Sequence, residues 1–395
     1  MSPKMRILEV VASFSVEGPG GGAARFGLAL SRALTLQDKE IEPVVCGLWD
    51  QGSTAERERT EGLLSNGVEA FVATAWDGHH PYKSFWQAFL VLWEYLKRSG
   101  VDVIHSHSEF GDVIACLLKA AGEVNLIVRT VHNHEWRRRP LRRLMLTNVL
   151  YPLWFDCELA VSSHLAEVLN RRPLGRLLRR QAEYLPNALD IERLEGLRGN
   201  RDEMMPRLGL PSDALLVGSV GRLAEQKGYS YLLEAAAIVL ARLPSTFFIL
   251  IGAGDLDNEL RQQAQALGIA SRVRFLGAQQ EALEILSCFH LFVSSSLWEG
   301  MPSVVLESMA LGVPVLATDI AGTQDLIHHQ ENGWLVPPQN AEALAQGMLT
   351  LLNNPELARA LAHRALSTPK SFFIKRITEQ QAVLYHRLMG RVNKA

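Results

Sequence analysis

A chain of 395 residues, 48% apolar and 21% charged, is long for one hydrophobic core and suits two globular domains of ordinary size. A net charge of −2 excludes a global attraction to nucleic acid, so any charged partner must be met by a local patch. No window offers the run of roughly 18 apolar residues that a membrane-spanning helix needs. Cys46, Cys116, Cys157 and Cys288 are scattered without CxxC spacing, which fits free thiols in a reducing cytosol.

The N-terminal MSPKMRILEVVASF runs directly into a strand-like stretch and shows no signal-peptide cleavage pattern. Strand-like runs then alternate with helix-length amphipathic stretches, which predicts parallel sheets with helices on both faces. In the first half the expected strands are 6–13, 43–48, 70–74, 103–107, 126–130 and 157–161. YLPNALD at 184–190 interrupts the pattern, and a second set begins at 215–220, followed by 246–251, 273–276, 291–294 and 315–318. Each set reads as a doubly wound Rossmann-like unit, so the α/β fold is expected to be two such domains facing a cleft. The domains are placed at 1–186 and 187–369, with 370–395 a final helix. The aromatic segment FWQAFLVLWEYL is read as a core helix.

After the first strand, Gly18, Gly20 and Ala23 satisfy G-x-G-x-x-A, so a nicotinamide dinucleotide site is a rival reading. It is weakened because the loop is long and because VVCGLW, ending the second strand, lacks the acidic residue expected for a ribose; only Asp50 is near. Gly21 and Gly22 are the residues expected to let the backbone approach a ligand. His105 and His107 alternate at one strand end, and His132 and His134 at the next. Such pairs share a strand face and can chelate in principle, but the surrounding Asp and Glu density is ordinary and no metal is expected.

From Arg137 to Arg180 there are ten Arg, no Lys and three acids (Asp156, Glu158, Glu167), a local balance of +7. Arg137, Arg138, Arg139, Arg142 and Arg143 are candidates for an anionic membrane surface, each basic residue contributing about 1 kcal/mol there. The competing reading is a solvated face; nucleic-acid binding is not expected, because no recognition module accompanies the patch. The expected location is cytoplasmic, peripheral at the inner face of a membrane if the patch binds lipid.

The second domain opens with LLVGSVGRLAEQKGYSYLLEAA. Arg222 and Lys227 fall in its first strand-to-helix loop, at the sheet edge where ligands bind. Arg forks two hydrogen bonds to phosphate and Lys supplies a mobile point charge, so the pair can neutralise a diphosphate without a metal. Further on, SSSLWEGMPSVVLESMALGVPVLATDIAGTQD sets Glu299 and Glu307 eight residues apart. Pro302 suits the first turn of a helix, and free amides at 302–305 would form an anion site beside two hydroxyl-binding carboxylates. That combination describes a seat for a sugar nucleotide.

The last segment resembles family 4 of the retaining glycosyltransferases, enzymes of the GT-B fold with an E-x7-E element. Its pattern is similar to S-x-x-E-G-x-P-x-x-x-x-E-x-M-x-x-G-x-P-V, met here by Ser296, Glu299, Gly300, Pro302, Glu307, Met309, Gly312, Pro314 and Val315. The resemblance implies transfer of a sugar from a nucleotide-diphosphate sugar to a hydroxyl of a glycan or lipid-linked acceptor, or else of a soluble small molecule. It implies that Glu307 binds the ribose and Glu299 the sugar, with Gly300, Met301, Pro302 and Ser303 lining the donor. It gives Arg222 and Lys227 the diphosphate, and returns the last helix to the first domain. RTVHNHEW resembles the T-x-H element through Thr130 and His132, which places His132 at the reacting sugar carbon; His107 and His134 are expected to help hold the acceptor. Asn187 is expected to meet the donor phosphates. Ala24 and Arg25 depart from the acidic residue many relatives carry there. A non-catalytic binding protein of the same fold is the remaining rival.

Overall fold

Apolar runs covered on both faces become parallel strands here, and their connections become helices. The computed structural model describes residues 4–15, 21–133, 144–190, 194, 196–197 and 199–392. These fold as two compact units, Met1–Ala188 with Ile374–Ala395, and Leu189–Phe373. Gly18, Gly20, His134 and the arginines between 137 and 143 lie outside the described residues.

In the first unit seven strands form one parallel sheet: β1 Met5–Val11, β2 Ile41–Asp50, β3 Glu69–Ala75, β4 Val103–Ser106, β5 Leu126–Val131, β6 Cys157–Ala160 and β7 Ala182–Tyr184. Their order is β3-β2-β1-β4-β5-β6-β7. In the second unit β8 Leu215–Val220, β9 Thr246–Ile251, β10 Val273–Gly277, β11 Leu291–Ser294, β12 Val315–Thr318 and β13 Trp334–Val336 are ordered β10-β9-β8-β11-β12-β13. Both sheets reverse direction beside their first strand, between β1 and β4 and between β8 and β11. The carboxyl ends of those strands are where open α/β sheets bind ligands.

The edge strands β7 and β13 escaped the sequence reading. Each has three residues, too few to show a period, and each exists because a neighbour pairs with it: Glu158 with Ala182, and Leu316 with Trp334.

Helices α1 Gly21–Gln37, α2 Thr54–Ser65, α3 Pro81–Ser99 and α4 Glu109–Ala120 cover the first sheet. Their ends follow local chemistry: Ser53 and Glu56 form a capping box on α2, Ser108 caps α4, and α3 starts at Pro81 and is stopped by Gly100 at φ 60°. The core reading of α3 holds for one face only. Ala88, Leu92 and Leu96 are buried, whereas Tyr82, Trp86 and Leu90 on the other face are 72%, 53% and 55% exposed. The last helix, Ile374–Val392, packs Ile377, Leu384, Tyr385 and Leu388 with Phe26, Leu30 and Leu34 of α1, so this helix belongs to the core of the first unit. The second core joins Leu223, Tyr229 and Leu233 to Phe248, Val293, Leu316 and Met348.

Candidate active site

In the second unit β8 ends at Val220, and a 3-10 turn, Glu225–Lys227, leads to Gly228. Gly228 has φ 60°, and a Cβ there would lie 2.2 Å from the Ser295 carbonyl oxygen, so only glycine lets this turn press against the end of β11. The contact brings Lys227 to Glu299. Lys227 Nζ donates to Glu299 Oε1 at 2.5 Å, Ser296 Oγ donates to the same oxygen at 2.9 Å, and Gln226 Nε2 donates to Oε2 at 3.0 Å. Gln226 also holds the Trp298 carbonyl at 3.0 Å. Behind the carboxylate, a Cβ on Gly322 would sit 2.7 Å from the Glu299 carbonyl oxygen, and Thr318 Oγ1 donates to the Ser296 carbonyl.

Lys227 and Glu299, assigned to different parts of a donor by resemblance, are therefore ion-paired with each other at the topological switch point. Gln226 was missed. Its signal was only its place beside Lys227, because a glutamine in a loop is ordinarily a solvated side chain. Arg222 is half-buried and makes no side-chain hydrogen bond or ion pair among the described residues. It is the cation of this loop left available to an anion.

The helix following Glu299 is Ser303–Ala310, and Pro302 is its N-cap rather than part of its first turn. Proline has no N–H, and the Val305 amide donates to the Pro302 carbonyl at 3.1 Å. The first-turn amides without such an i−3 bond are thus those of Ser303 and Val304, fewer than the four positions expected. Glu307 is buried at 6% exposure, just over one turn in; Gly300, Met301 and Pro302 are buried, and Ser303 is half-buried. Gly312 at φ 70° closes the helix, with its amide bonded to Met309 and that of Val313 to Ser308. Met309 and Gly312 thus shape the segment, while Ser296 and Glu299 carry its polar chemistry.

In the first unit the parallel register of β1 and β4 sets Glu9 beside His105. Glu9 is fully buried and bonded on both oxygens: Oε2 lies 2.7 Å from His107 Nε2 and 3.2 Å from His105 Nδ1, and Tyr385 Oη donates to Oε1 at 2.8 Å. His105 Nδ1 is 2.6 Å from Tyr385 Oη, its Nε2 is 2.8 Å from Thr130 Oγ1, and His107 Nδ1 is 3.1 Å from His132 Nε2. Burial alone would raise the pKa of Glu9, but its interactions with His105 and His107, hydrogen bonds among them, outweigh it and hold the carboxyl well below the usual range. Burial, followed by the neighbouring histidines, depresses His132 well below the ordinary imidazole value, and His107 is lowered by burial and His105.

Glu9, His105 and His107 have the spacing of a metal triad, yet each of their ring nitrogens and carboxylate oxygens is engaged in this hydrogen-bonded cluster. His107 was expected beside an acceptor; it is instead 4% exposed with both ring nitrogens occupied. Thr130 serves His105. His132 is half-buried after β5, with the Asn187 side chain beside its ring.

Gly21 and Gly22 form the first residues of α1, Gly21 buried and Gly22 exposed, with nothing within 4 Å of a Cβ at Gly22. Arg25 is half-buried on the same helix. Of the ten arginines in the basic stretch, Arg172 is structural: it is 5% exposed and forks onto Glu158. Arg171, Arg176 and Arg179 are exposed.

Two Rossmann-like units, each with polar residues gathered at its switch point, define the GT-B class of glycosyltransferase fold. The chain matches the glycosyl transferases group 1 family over residues 200–368 and glycosyltransferase family 4 over residues 20–193. It belongs to these glycosyltransferases and is an enzyme of that kind, which displaces the nicotinamide reading. Among its relatives, the UDP-Gal:alpha-D-GlcNAc-diphosphoundecaprenol alpha-1,3-galactosyltransferase of Escherichia coli is 24% identical over 280 residues, 69% of this chain and 71% of that one. The putative glycosyltransferase EpsD of Bacillus subtilis is 26% identical over 303 residues, 74% of this chain and 78% of that one. The Anabaena HepE structure with UDP-glucose is similar with a TM-score of 0.80 at 21% identity, covering 97% of this chain and 100% of that one. The sucrose-phosphate synthase of Thermosynechococcus elongatus has a TM-score of 0.79 at 21% identity, covering 98% and 100%. Among the described residues no helix is long and apolar enough to cross a membrane.

Proposed function

We propose that this enzyme moves a hexosyl or N-acetylhexosaminyl group from a nucleotide-diphosphate sugar to a hydroxyl of a glycan or lipid-linked acceptor, with retention at the anomeric carbon. The observation that carries the reading is the cluster of Lys227, Glu299 and Gln226, with Arg222 in the same loop, at the switch point of the second sheet. Arg222, Lys227 and the amides of Ser303 and Val304 take the diphosphate; Glu307 takes the ribose and Glu299 the sugar hydroxyls, with Gly300, Met301 and Pro302 lining the donor. From the first unit, His132 is assigned to the sugar, Asn187 to the phosphates and Gly21 and Gly22 to backbone approach.

The bond from the anomeric carbon to the diphosphate breaks as the acceptor oxygen attacks the same face. The acceptor proton passes to the departing phosphate oxygen. Fixed cations and amides stabilise charge as it grows on the leaving group, so activity unchanged by EDTA is expected. A lipid-linked acceptor is favoured by the diphosphoundecaprenol substrate named for the Escherichia coli relative. The exposed Trp86 and Leu90, and the exposed Arg171, Arg176 and Arg179, also suit an anionic membrane surface.

Binding and slow hydrolysis of UDP-, GDP- and ADP-sugars, followed by calorimetry and by proton NMR of the released anomer, test the proposal. Retention of the α configuration is expected. Failure to bind any nucleotide sugar sinks the reading, and an inverted product sinks the stereochemical part. Co-sedimentation with anionic liposomes that survives neutralising Arg137 to Arg143 would remove that patch from the account.

A further inference from the structure

The buried cluster of the first unit does something that no single residue in it reveals. Glu9 lies under His107, and His107 lies under His132, so three side chains form one row: carboxylate, imidazole, imidazole. Proton bookkeeping along that row has one consistent solution. An ionised Glu9 only accepts, so His107 carries its proton on Nε2. A neutral His107 then offers a bare Nδ1, and the 3.1 Å contact must be donated by His132 Nε2–H. His132 is left with a lone pair on Nδ1. The opposite assignment would need either a protonated Glu9, although Tyr385 and His107 each point a polar group at one of its oxygens, or a charged His107 in a buried site.

We propose that Glu9 and His107 are positioning residues that lock His132 as the Nε2–H tautomer, so that Nδ1 is left only as a hydrogen-bond acceptor. His132 Nε2–H is spent on His107, so the ring does not protonate the leaving diphosphate. The inference rests on the reading of His132 as a substrate-facing residue.

Three further features support the lock. Phe26 of α1 stands edge-on to both rings, with centroids 5.8 Å from His107 and 5.7 Å from His132, which limits their rotation. A Cβ at Gly27 would lie 2.9 Å from Val11 and 3.4 Å from His107 Cδ2, so glycine is what lets α1 close over the row. The other end is pinned as well: His105 Nδ1–H donates to Tyr385, Tyr385 donates to Glu9, and Thr130 donates to His105 Nε2. Among the described residues, the groups that titrate in this cluster are thus Glu9 on β1, His105 and His107 at β4, and Tyr385 on the last helix. His132 Nδ1 is buried without a well-formed hydrogen bond, beside the Asn187 carboxamide.

The test is nitrogen-15 NMR of the imidazoles in the full chain, with His132 identified by the loss of its signals in His132→Gln. The wild-type ring should show a protonated Nε2 and an unprotonated Nδ1 from pH 8 to pH 5.5. Glu9→Gln and His107→Phe should convert that ring to a mixture of tautomers. They should lower kcat by about tenfold to a hundredfold, as expected for one misoriented hydrogen bond, with the dissociation constant of the donor nucleotide sugar unchanged. A wild-type Nδ1–H ring, or one that charges near pH 6.5, overturns the proposal even if both variants fail to fold. Folded variants with a wild-type tautomer or unchanged kcat overturn it too. A protein that binds no nucleotide sugar refutes the functional reading instead, and leaves the ring assignment to stand or fall on its spectrum.

Discussion

Replacing Lys227 by Met removes the cation that faces Glu299 while keeping the length of the side chain. Removing one partner of a fully buried pair costs about 3–5 kcal/mol, because a charge is left without its counterpart. Here Glu299 is 8% exposed and Lys227 22%, and Ser296 and Gln226 still hold the carboxylate. The loss should therefore be smaller, about 2 kcal/mol. Glu299→Gln leaves an ammonium that reaches water, so about 1 kcal/mol is expected. With both changed, neither orphaned charge remains, and the double variant should cost about 1.5–2 kcal/mol, a coupling of about 1–1.5 kcal/mol. Urea unfolding of the four proteins without nucleotide measures it. Costs that add to within about 0.5 kcal/mol would refute the ion pair as a feature of the unliganded enzyme.

Glu307→Ala should weaken binding of the donor nucleotide by at least tenfold while leaving Lys227→Met coupling to Glu299 intact; equal affinity by calorimetry would remove Glu307 from the ribose. Gly228→Ala should destabilise the second unit by more than about 1 kcal/mol, since it adds a left-handed conformation to a collision with the Ser295 carbonyl; an unchanged urea midpoint would contradict that turn geometry. Stability should fall as pH drops below about 6.5. His132 and His107 have folded pKa values below the unfolded one, so their contribution is complete above about 6.5 and is lost as pH falls toward the folded values. Each adds up to about 1.4 kcal/mol per pH unit, and Asp112, raised to about 6 by burial, opposes them between about 6 and 3.8. His132→Gln should flatten that slope, and a slope identical to wild type would refute the assignment.

Much of this was legible in the chain itself. The central strands β8, β9, β11 and β12 begin and end where unbroken apolar runs do, because a strand buried on both faces needs no alternation. Gly228 and Gly312 were readable as punctuation, since a positive φ favours a residue without Cβ. The E-x7-E spacing, Arg222 and Lys227 were visible as residue types that suit a sugar diphosphate. The three-residue edge strands were not, because their order comes from a neighbouring strand and not from their own pattern.

The sequence by itself determined which residue types stand after which strands, and so the class of enzyme. Only the tertiary structure decided who touches whom. Lys227 and Glu299 are 72 residues apart in the chain, and Glu9 and Tyr385 are 376 apart. No local rule joins such pairs: a hydrogen bond depends on distances of about 3 Å, and those are set by sheet register and by glycines that let backbones meet. For the same reason the proton on His132 could not be read from T-x-H, because its place is dictated by a glutamate on the first strand.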